Sequence, residues 1–153
     1  MDVLTMDGTI SNNTANMNAG DGILVGGIMV EFSGTISNNT ANMNAGDGIL
    51  VGGIMVEFSG TAEGNTTNSN TLNGLSIFGV NSTFSGALRN NTATSNTLSG
   101  IRYQGGVFQG SIASNTASSN GRQGLEILSQ EFNGNILQNT FQSNSIEGAN
   151  LMI

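Results

Sequence analysis

The chain lacks most of the residue types on which common active sites are built. Its 153 residues include no Cys, His, Pro or Trp, and because Lys is absent too, the cations are Arg89, Arg102 and Arg122. Without Cys the chain forms no disulfide, thiolate nucleophile or Cys-based zinc site. Without His it has no Ser-His-Asp triad or imidazole metal ligand, and without Lys it has no P-loop.

Charge is scarce and mostly acidic. Lys+Arg total 3 against 10 Asp+Glu, which gives a formal net charge of −7, and only 8% of residues are charged. A nucleic-acid partner is not expected, because phosphates require a basic surface. No apolar run approaches the ~18–20 residues of a membrane span. The start, MDVLTMDG, lacks the basic and apolar regions of a signal peptide, so we expect none there.

An internal repeat is the strongest fold signal in the sequence. Residues 8–33 read GTISNNTANMNAGDGILVGGIMVEFS, and residues 34–59 repeat these 26 letters without change. Further units span 60–85, 86–109, 110–133 and 134–153, with 26, 24, 24 and 20 residues. We name these units coils 1 to 6. Residues 1–7, the leader, resemble the end of a preceding coil with Met6 at a recurring Phe position, so a single domain is predicted over 1–153.

Alignment of the coils reveals columns of equivalent residues. The first Asn column is Asn13, Asn39, Asn65, Asn91, Asn115 and Asn139, each followed by a Thr. The second Asn column is Asn18, Asn44, Asn70, Asn96, Asn120 and Asn144. Glycines recur at the start of each coil (Gly8, Gly34, Gly60, Gly86, Gly110, Gly134) and after the second Asn (Gly22, Gly48, Gly74, Gly100, Gly124, Gly148). A Phe column comprises Phe32, Phe58, Phe84, Phe108 and Phe132.

Apolar residues alternate with a period of two inside each coil, which predicts short strands and no helix. Three short strands and three bends in about 24 residues make one coil of an all-β, single-stranded parallel β-helix with six coils. Strands of neighbouring coils then pair at ~4.8 Å. In such a stack the Asn amides bond to one another as an asparagine ladder.

The same register predicts a core and several stacked charges. One apolar column is Ile10, Ile36, Ala62, Leu88, Ile112 and Ile136; another is Ile23, Ile49, Leu75, Ile101, Leu125 and Ala149; a third is Val25, Val51, Ile77, Tyr103, Ile127 and Leu151. The Tyr hydroxyl of the third column needs a partner or solvent. Glu63 is expected beside Arg89 and Arg102 beside Glu126 as exposed pairs. Asp21 over Asp47, and Glu31 over Glu57, predict raised carboxylate pKa values.

The pattern G-x-I-x-x-N-T-x-x-x-N-x-x-x-G-I-x-V resembles the right-handed parallel β-helix repeat of the pectate-lyase-like superfamily. The likeness covers residues 8–153. It implies right-handed winding and a place among secreted or surface proteins, which in this superfamily include polysaccharide lyases, hydrolases and non-catalytic surface passengers. The composition, rich in Asn, Thr, Ser and Gly, resembles the non-catalytic passengers. We therefore expect a structural protein and no enzyme, with a carbohydrate-binding or carbohydrate-active remnant as the alternative.

No residue is assigned a catalytic, cofactor-binding or metal-binding role. The Asp residues are Asp2, Asp7, Asp21 and Asp47, and the position shared by the last two, which we name the acidic column, continues as Asn73, Ser99, Gln123 and Glu147. Two monodentate carboxylates fall short of the 6–8 oxygens that calcium requires. The acidic residues are expected to be solvated in turns. An ice-binding Thr array is disfavoured, because the position two residues after each Thr is mixed.

The identity of coils 1 and 2 indicates a recent or engineered duplication, since the other coils share only their skeleton. The chain starts and stops within a coil, whereas natural solenoids carry polar caps. We therefore expect an engineered or truncated fragment of a larger secreted or surface β-helical protein. Its uncapped ends are predicted to self-associate by strand pairing. A glycan or host-surface ligand is a further possible partner.

Overall fold

The computed structural model describes residues 3–153, which contain sixteen strands and no helix, and so no helix able to cross a membrane. The strands are β1 (Val3–Met6), β2 (Thr9–Ser11), β3 (Ile23–Phe32), β4 (Thr35–Ser37), β5 (Ile49–Phe58), β6 (Thr61–Glu63), β7 (Leu75–Phe78), β8 (Thr83–Phe84), β9 (Ala87–Arg89), β10 (Ile101–Gln104), β11 (Val107–Phe108), β12 (Ser111–Ala113), β13 (Leu125–Leu128), β14 (Glu131–Phe132), β15 (Asn135–Leu137) and β16 (Ala149–Met152).

All the strand pairs of residues 3–153 are parallel, and each pairs equivalent positions of neighbouring coils. A six-stranded sheet has the order β15-β12-β9-β6-β4-β2, and a ten-stranded sheet holds the other strands. Isolated parallel bridges join the Thr residues that follow the first Asn column, from Thr14 to Thr140. The chain is therefore a parallel β-solenoid of about six coils, as the repeat predicts.

Coils 1 and 2 differ from the expected three short strands. The two strand positions of the large sheet merge there into the ten-residue strands β3 and β5. In coil 3 they remain separate as β7 and β8, because the chain turns at Val80 and Asn81. The strand of the six-stranded sheet is the third strand of coils 3 to 5, and the Thr bridge adds one isolated pairing position to the coil. The periodicity located these segments, but it did not resolve how far pairing continues along each one.

The core contains the apolar columns that the sequence predicts. Phe32, Phe58, Phe84 and Phe108 are fully buried. Neighbouring rings of this column stack with centroids 4.8 to 5.2 Å apart. Tyr103 replaces an aliphatic residue of the third apolar column and is 1% exposed. Its hydroxyl lies 2.9 Å from the carbonyl oxygen of Ser82 and 2.8 Å from that of Val107, which confirms that it finds a hydrogen-bond acceptor.

Two asparagine ladders run along the stack. In both Asn columns, the Nδ2 of one coil donates to the Oδ1 of the next coil at 2.9 to 3.1 Å. The same Oδ1 also accepts the backbone N–H of the preceding Asn, for example Asn39 N–H to Asn65 Oδ1 at 3.0 Å. In the middle of the stack these amides are buried, so their hydrogen bonds replace those of water.

Each ladder Asn is preceded by a residue with positive φ. These left-handed positions are Asn12, Asn38, Gly64, Asn90, Ser114 and Gln138 before the first column, and Met17, Met43, Ser69, Ser95, Ser119 and Ser143 before the second, with φ between 54° and 63°. A left-handed residue turns the chain sharply and aims the following Asn side chain into the stack. Most non-glycine residues disfavour this conformation, and Asn tolerates it better than most.

Candidate functional site

The densest set of polar side chains is the acidic column, which forms a ladder of its own. Asp47 N–H donates to Asp21 Oδ1 at 2.7 Å, and Asn73 N–H donates to Asp47 Oδ1 at 2.6 Å. Ser99 N–H donates to Asn73 Oδ1 at 3.1 Å. In coils 1 to 4 these oxygens therefore accept from the following coil, the reverse of the direction in the Asn ladders. Beyond them the column runs forward, with Ser99 Oγ donating to Gln123 Oε1 at 3.3 Å and Gln123 Nε2 donating to Glu147 Oε2 at 2.9 Å. Asn16, Asn42, Asn68 and Thr94 form a second reversed ladder.

Asp47 corrects the expectation that the turn carboxylates are solvated. It is only 6% exposed, because coils 1 and 3 cover it on both sides. Burial, and to a smaller degree the neighbouring Asp21, raises the pKa of Asp47 above its usual 3.8, while hydrogen bonds from Asn73 and the charge of Arg102 oppose the rise. The predicted direction is confirmed, but desolvation rather than charge repulsion is the main cause.

Glu126 forms the centre of the only cluster in residues 3–153 that joins two arginines to one carboxylate. Its Oε2 accepts Arg102 Nε at 2.9 Å, and its Oε1 lies 3.6 Å from Arg122 Nη2. Ser99 Oγ lies 3.4 Å from Glu126 Oε2, and Arg102 also contacts Gln104. The Arg102–Glu126 register is confirmed, but the expected exposure is wrong for Glu126, whose side chain is 4% exposed.

The predicted pair of Arg89 and Glu63 forms at the solvent-exposed surface, as expected. Arg89 Nε lies 2.7 Å from Glu63 Oε2, and the side chains are 52% and 35% exposed. The difference between the two pairs follows from their neighbours. Glu63 stands on the six-stranded sheet and is partly exposed, whereas Glu126 is contacted by Ser99 and two arginines. Sequence columns give the partner of a charged residue, but neighbouring columns decide its burial.

The side chains of the acidic column and of the Glu126 cluster form hydrogen bonds and ion pairs within the fold. Within residues 3–153, no group of three or more His, Cys, Asp or Glu side chains is placed to hold a metal ion. Ser129 Oγ is the one buried side-chain polar atom of that range without a hydrogen-bond partner. The Asp21 and Asp47 oxygens accept backbone N–H groups of the next coil. Asp7 is exposed and lies apart from them, and Asp2 lies outside the described residues.

The Glu31–Glu57 stack borders a shallow cavity on the outer surface. Their register is confirmed, and the cavity, of about 200 Å³, is also lined by Met55, Val56 and Thr83. Aromatic side chains supply much of the contact energy of binding surfaces. Because the stacked Phe rings point into the core and Tyr103 is buried, this cavity gains no aromatic wall from them.

The two ends of the stack are the other candidate site. We name β1, β2 and the Ile23–Gly27 part of β3 the N-terminal end, and β14, β15 and β16 the C-terminal end. In residues 3–153 each of these segments pairs with a strand on one side only. Core positions become accessible there: Leu151 is 40% exposed, whereas Ile127 of the same column is 0% exposed.

Comparison of the chain with protein-family models, curated proteins and solved structures finds no significant match. The solenoid fold therefore rests on the strand register and the ladders. The resemblance to the pectate-lyase-like superfamily, the right-handed winding and the surface origin stay predictions.

Proposed function

We propose that this chain is a non-catalytic structural and interaction module of a secreted or cell-surface β-helical protein, and that it associates with further copies through its ends. Each interior coil is held by backbone hydrogen bonds to both neighbours, which suits a structural role. The buried polar side chains support a structural role, because nearly all of them are engaged within the fold. The duplicated coil 1–coil 2 pair supports an engineered or recently extended origin.

The observation that carries the proposal is the contrast between the interior and the ends. Interior strands pair on both sides, whereas the end strands leave one row of backbone N–H and C=O groups without a strand partner in residues 3–153. Such edges are templates for pairing with another chain. The C-terminal end also exposes Leu137 (54%), Met152 (53%) and Ile153 (76%), so strand pairing there would bury apolar surface as well.

Light scattering coupled to size exclusion, over a range of concentrations, tests association. We expect the mass to rise above the 15.7 kDa of one chain as concentration increases. Leu151→Lys should abolish this rise, because it places an ammonium in an open core column at the edge. Val80→Lys is the matched control, since Val80 is 61% exposed on an interior coil.

A strict monomer at high concentration would contradict the proposal, as would unchanged assembly of Leu151→Lys with a native circular dichroism spectrum. A glycan array tests the alternative. Clear binding to an acidic polysaccharide, lost on Glu57→Gln at the cavity, would favour the carbohydrate-binding function.

A further inference from the structure

We propose that copies of this chain join head to tail, so that the C-terminal end of one copy continues in register into the N-terminal end of the next. This inference rests on the proposed self-association and specifies its geometry. The product is an open polar filament rather than a closed dimer, because a head-to-tail contact leaves one unused end of each kind.

The Asn ladders give the two ends opposite hydrogen-bonding character. Since Oδ1 atoms accept from the preceding coil, Asn13 Oδ1 and Asn18 Oδ1 receive no hydrogen bond within residues 3–153. At the other end, the backbone N–H groups of Asn139 and Asn144 have no acceptor in that range, although their predecessors donate to the next Oδ1 at 2.8 and 3.0 Å. When two copies lie head to tail, the Asn139 and Asn144 N–H groups of one copy face the Asn13 and Asn18 Oδ1 atoms of the next.

In the two reversed ladders the donors lie at the N-terminal end and the acceptors at the C-terminal end. In the stack, Asp47 N–H donates back to Asp21 Oδ1, and Asn42 N–H donates back to Asn16 Oδ1. Glu147 Oε2 already accepts Gln123 Nε2 at 2.9 Å, so at a joint the Asp21 N–H of the second copy would donate to Glu147 Oε1 of the first. The Asn16 N–H of the second copy would likewise donate to Gln142. One arrangement therefore continues both Asn ladders, and it brings Asp21 and Asn16 of the second copy to Glu147 and Gln142 of the first.

The backbone edges and the core columns continue through the same joint. Met6 pairs in register with Phe32, and Phe32 shares its column with Phe132, on which no strand of residues 3–153 is stacked beyond β14. The β1 strand of a second copy therefore fits on β14, with Met6 over the Phe132 ring. Ile10 would cover Ile136, a partly buried residue whose column is otherwise fully buried in the interior.

Contacts between like ends cannot reproduce this match. Two copies that meet by the same end are related by a two-fold axis across the stack, which makes the facing strands antiparallel. Only a column that lies on that axis can then face its own counterpart. The ladders lie in several columns, so most of their donors and acceptors would face unrelated residues.

Two single-cysteine variants read the orientation, because the chain has no native Cys. Thr14 and Thr140 are exposed members of the Thr bridge column at opposite ends. Neighbouring strands place equivalent Cα atoms within the range that a disulfide spans. A mixture of Thr14→Cys and Thr140→Cys should form cross-linked heterodimers on oxidation. Thr9→Cys mixed with Thr140→Cys is the out-of-register control and should not cross-link.

A gain-of-assembly variant tests the joint independently. Head to tail, Glu147 of one copy approaches Asp21 of the next, and Glu147→Gln would replace a like-charge pair with an amide that donates to the Asp21 carboxylate. A hydrogen bond to a charged group corresponds to about tenfold in affinity. We therefore expect Glu147→Gln to assemble at about tenfold lower concentration, measured by light scattering.

The outcomes separate the two proposals. Cross-linking of the Thr14→Cys and Thr140→Cys mixture alone, together with polar filaments in electron micrographs, supports head-to-tail joining. Assembly in which Thr14→Cys or Thr140→Cys cross-links with itself overturns the inference and leaves self-association standing. A monomer under all conditions, with each variant folded by circular dichroism, overturns both.

Discussion

Truncation of one ladder amide in the middle of the stack should destabilise the fold far more than truncation at its end. Asn70 is 1% exposed and makes four side-chain hydrogen bonds. Its Oδ1 accepts Asn44 N–H at 2.9 Å and Asn44 Nδ2 at 3.0 Å. Its Nδ2 donates to Ala41 O and Asn96 Oδ1, both at 3.0 Å.

The magnitude follows from the groups that Asn70→Ala leaves without partners. Asn44 Nδ2 keeps its bond to Ala15 O at 2.9 Å, and Asn96 Oδ1 keeps the Asn70 backbone N–H at 3.0 Å. The Asn44 N–H and the Ala41 carbonyl lose the acceptor and donor that they had. A buried unsatisfied polar group costs about 1–3 kcal/mol, so two give a loss of about 2–6 kcal/mol in the free energy of unfolding.

Asn18→Ala is the matched control in the same column. Asn18 is exposed, and its side chain makes one hydrogen bond, from Nδ2 to Asn44 Oδ1 at 2.9 Å. Asn44 Oδ1 keeps the Asn18 backbone N–H at 2.9 Å, so the expected loss is at most about 1 kcal/mol. Urea titrations followed by far-UV circular dichroism measure both values. Losses that agree within about 0.5 kcal/mol would refute the ladder as a source of stability.

Three further contrasts test the close approach of coils, the buried carboxylate and the left-handed positions. Gly60→Ala should destabilise the fold by about 1–3 kcal/mol in urea titrations, because a Cβ there would lie 2.3 Å from a backbone carbonyl oxygen of the preceding coil. In the control, Gly8→Ala, the Cβ meets nothing within 4 Å and the stability should not change. Equal effects would exclude steric contact as the reason for the glycine column. The raised pKa of Asp47 means that the unfolded chain loses this proton first, so stability falls as pH rises from below 3.8 through the folded pKa. Asp47→Asn should therefore raise the urea midpoint more at pH ~7 than at pH ~3, and a pH-independent gain would contradict the assignment. Met43 has a φ of 57°, so Met43→Asn should stabilise the fold by up to about 1 kcal/mol in thermal melts, because Asn tolerates this conformation better. Met55→Asn, within a strand, should not stabilise it. Similar shifts for both variants would show that left-handed strain is not relieved.

The repeat made most of the architecture predictable, because equivalent residues of a stacked coil must face one another. Asn39 over Asn65 and Phe58 over Phe84 follow from alignment alone, and the structure confirms both. The need of Tyr103 for a hydrogen-bond partner was also predictable from its place in an apolar column. The identity of its two carbonyl neighbours, Ser82 and Val107, was not predictable.

The candidate site was less predictable, since burial depends on contacts between different columns. Alignment paired Arg102 with Glu126 but gave no sign that Ser99 and Arg122 also cover that carboxylate. The reversed direction of the acidic ladder also escaped the sequence. One signal was available: the acidic column keeps a hydrogen-bonding side chain in every coil, which a solvated turn does not require.

The sequence by itself determined the period, the pairing partners and the residues that fill the core, because a repeat with fixed Asn, Gly and Phe offsets has one register in which like side chains stack. The tertiary structure alone decided which carboxylates are buried and which way each ladder points, since both depend on the path of the backbone between columns. It also gave the two ends their different donors and acceptors. Hydrogen bonds have a direction that amino-acid letters do not carry, and that direction makes the ends complementary.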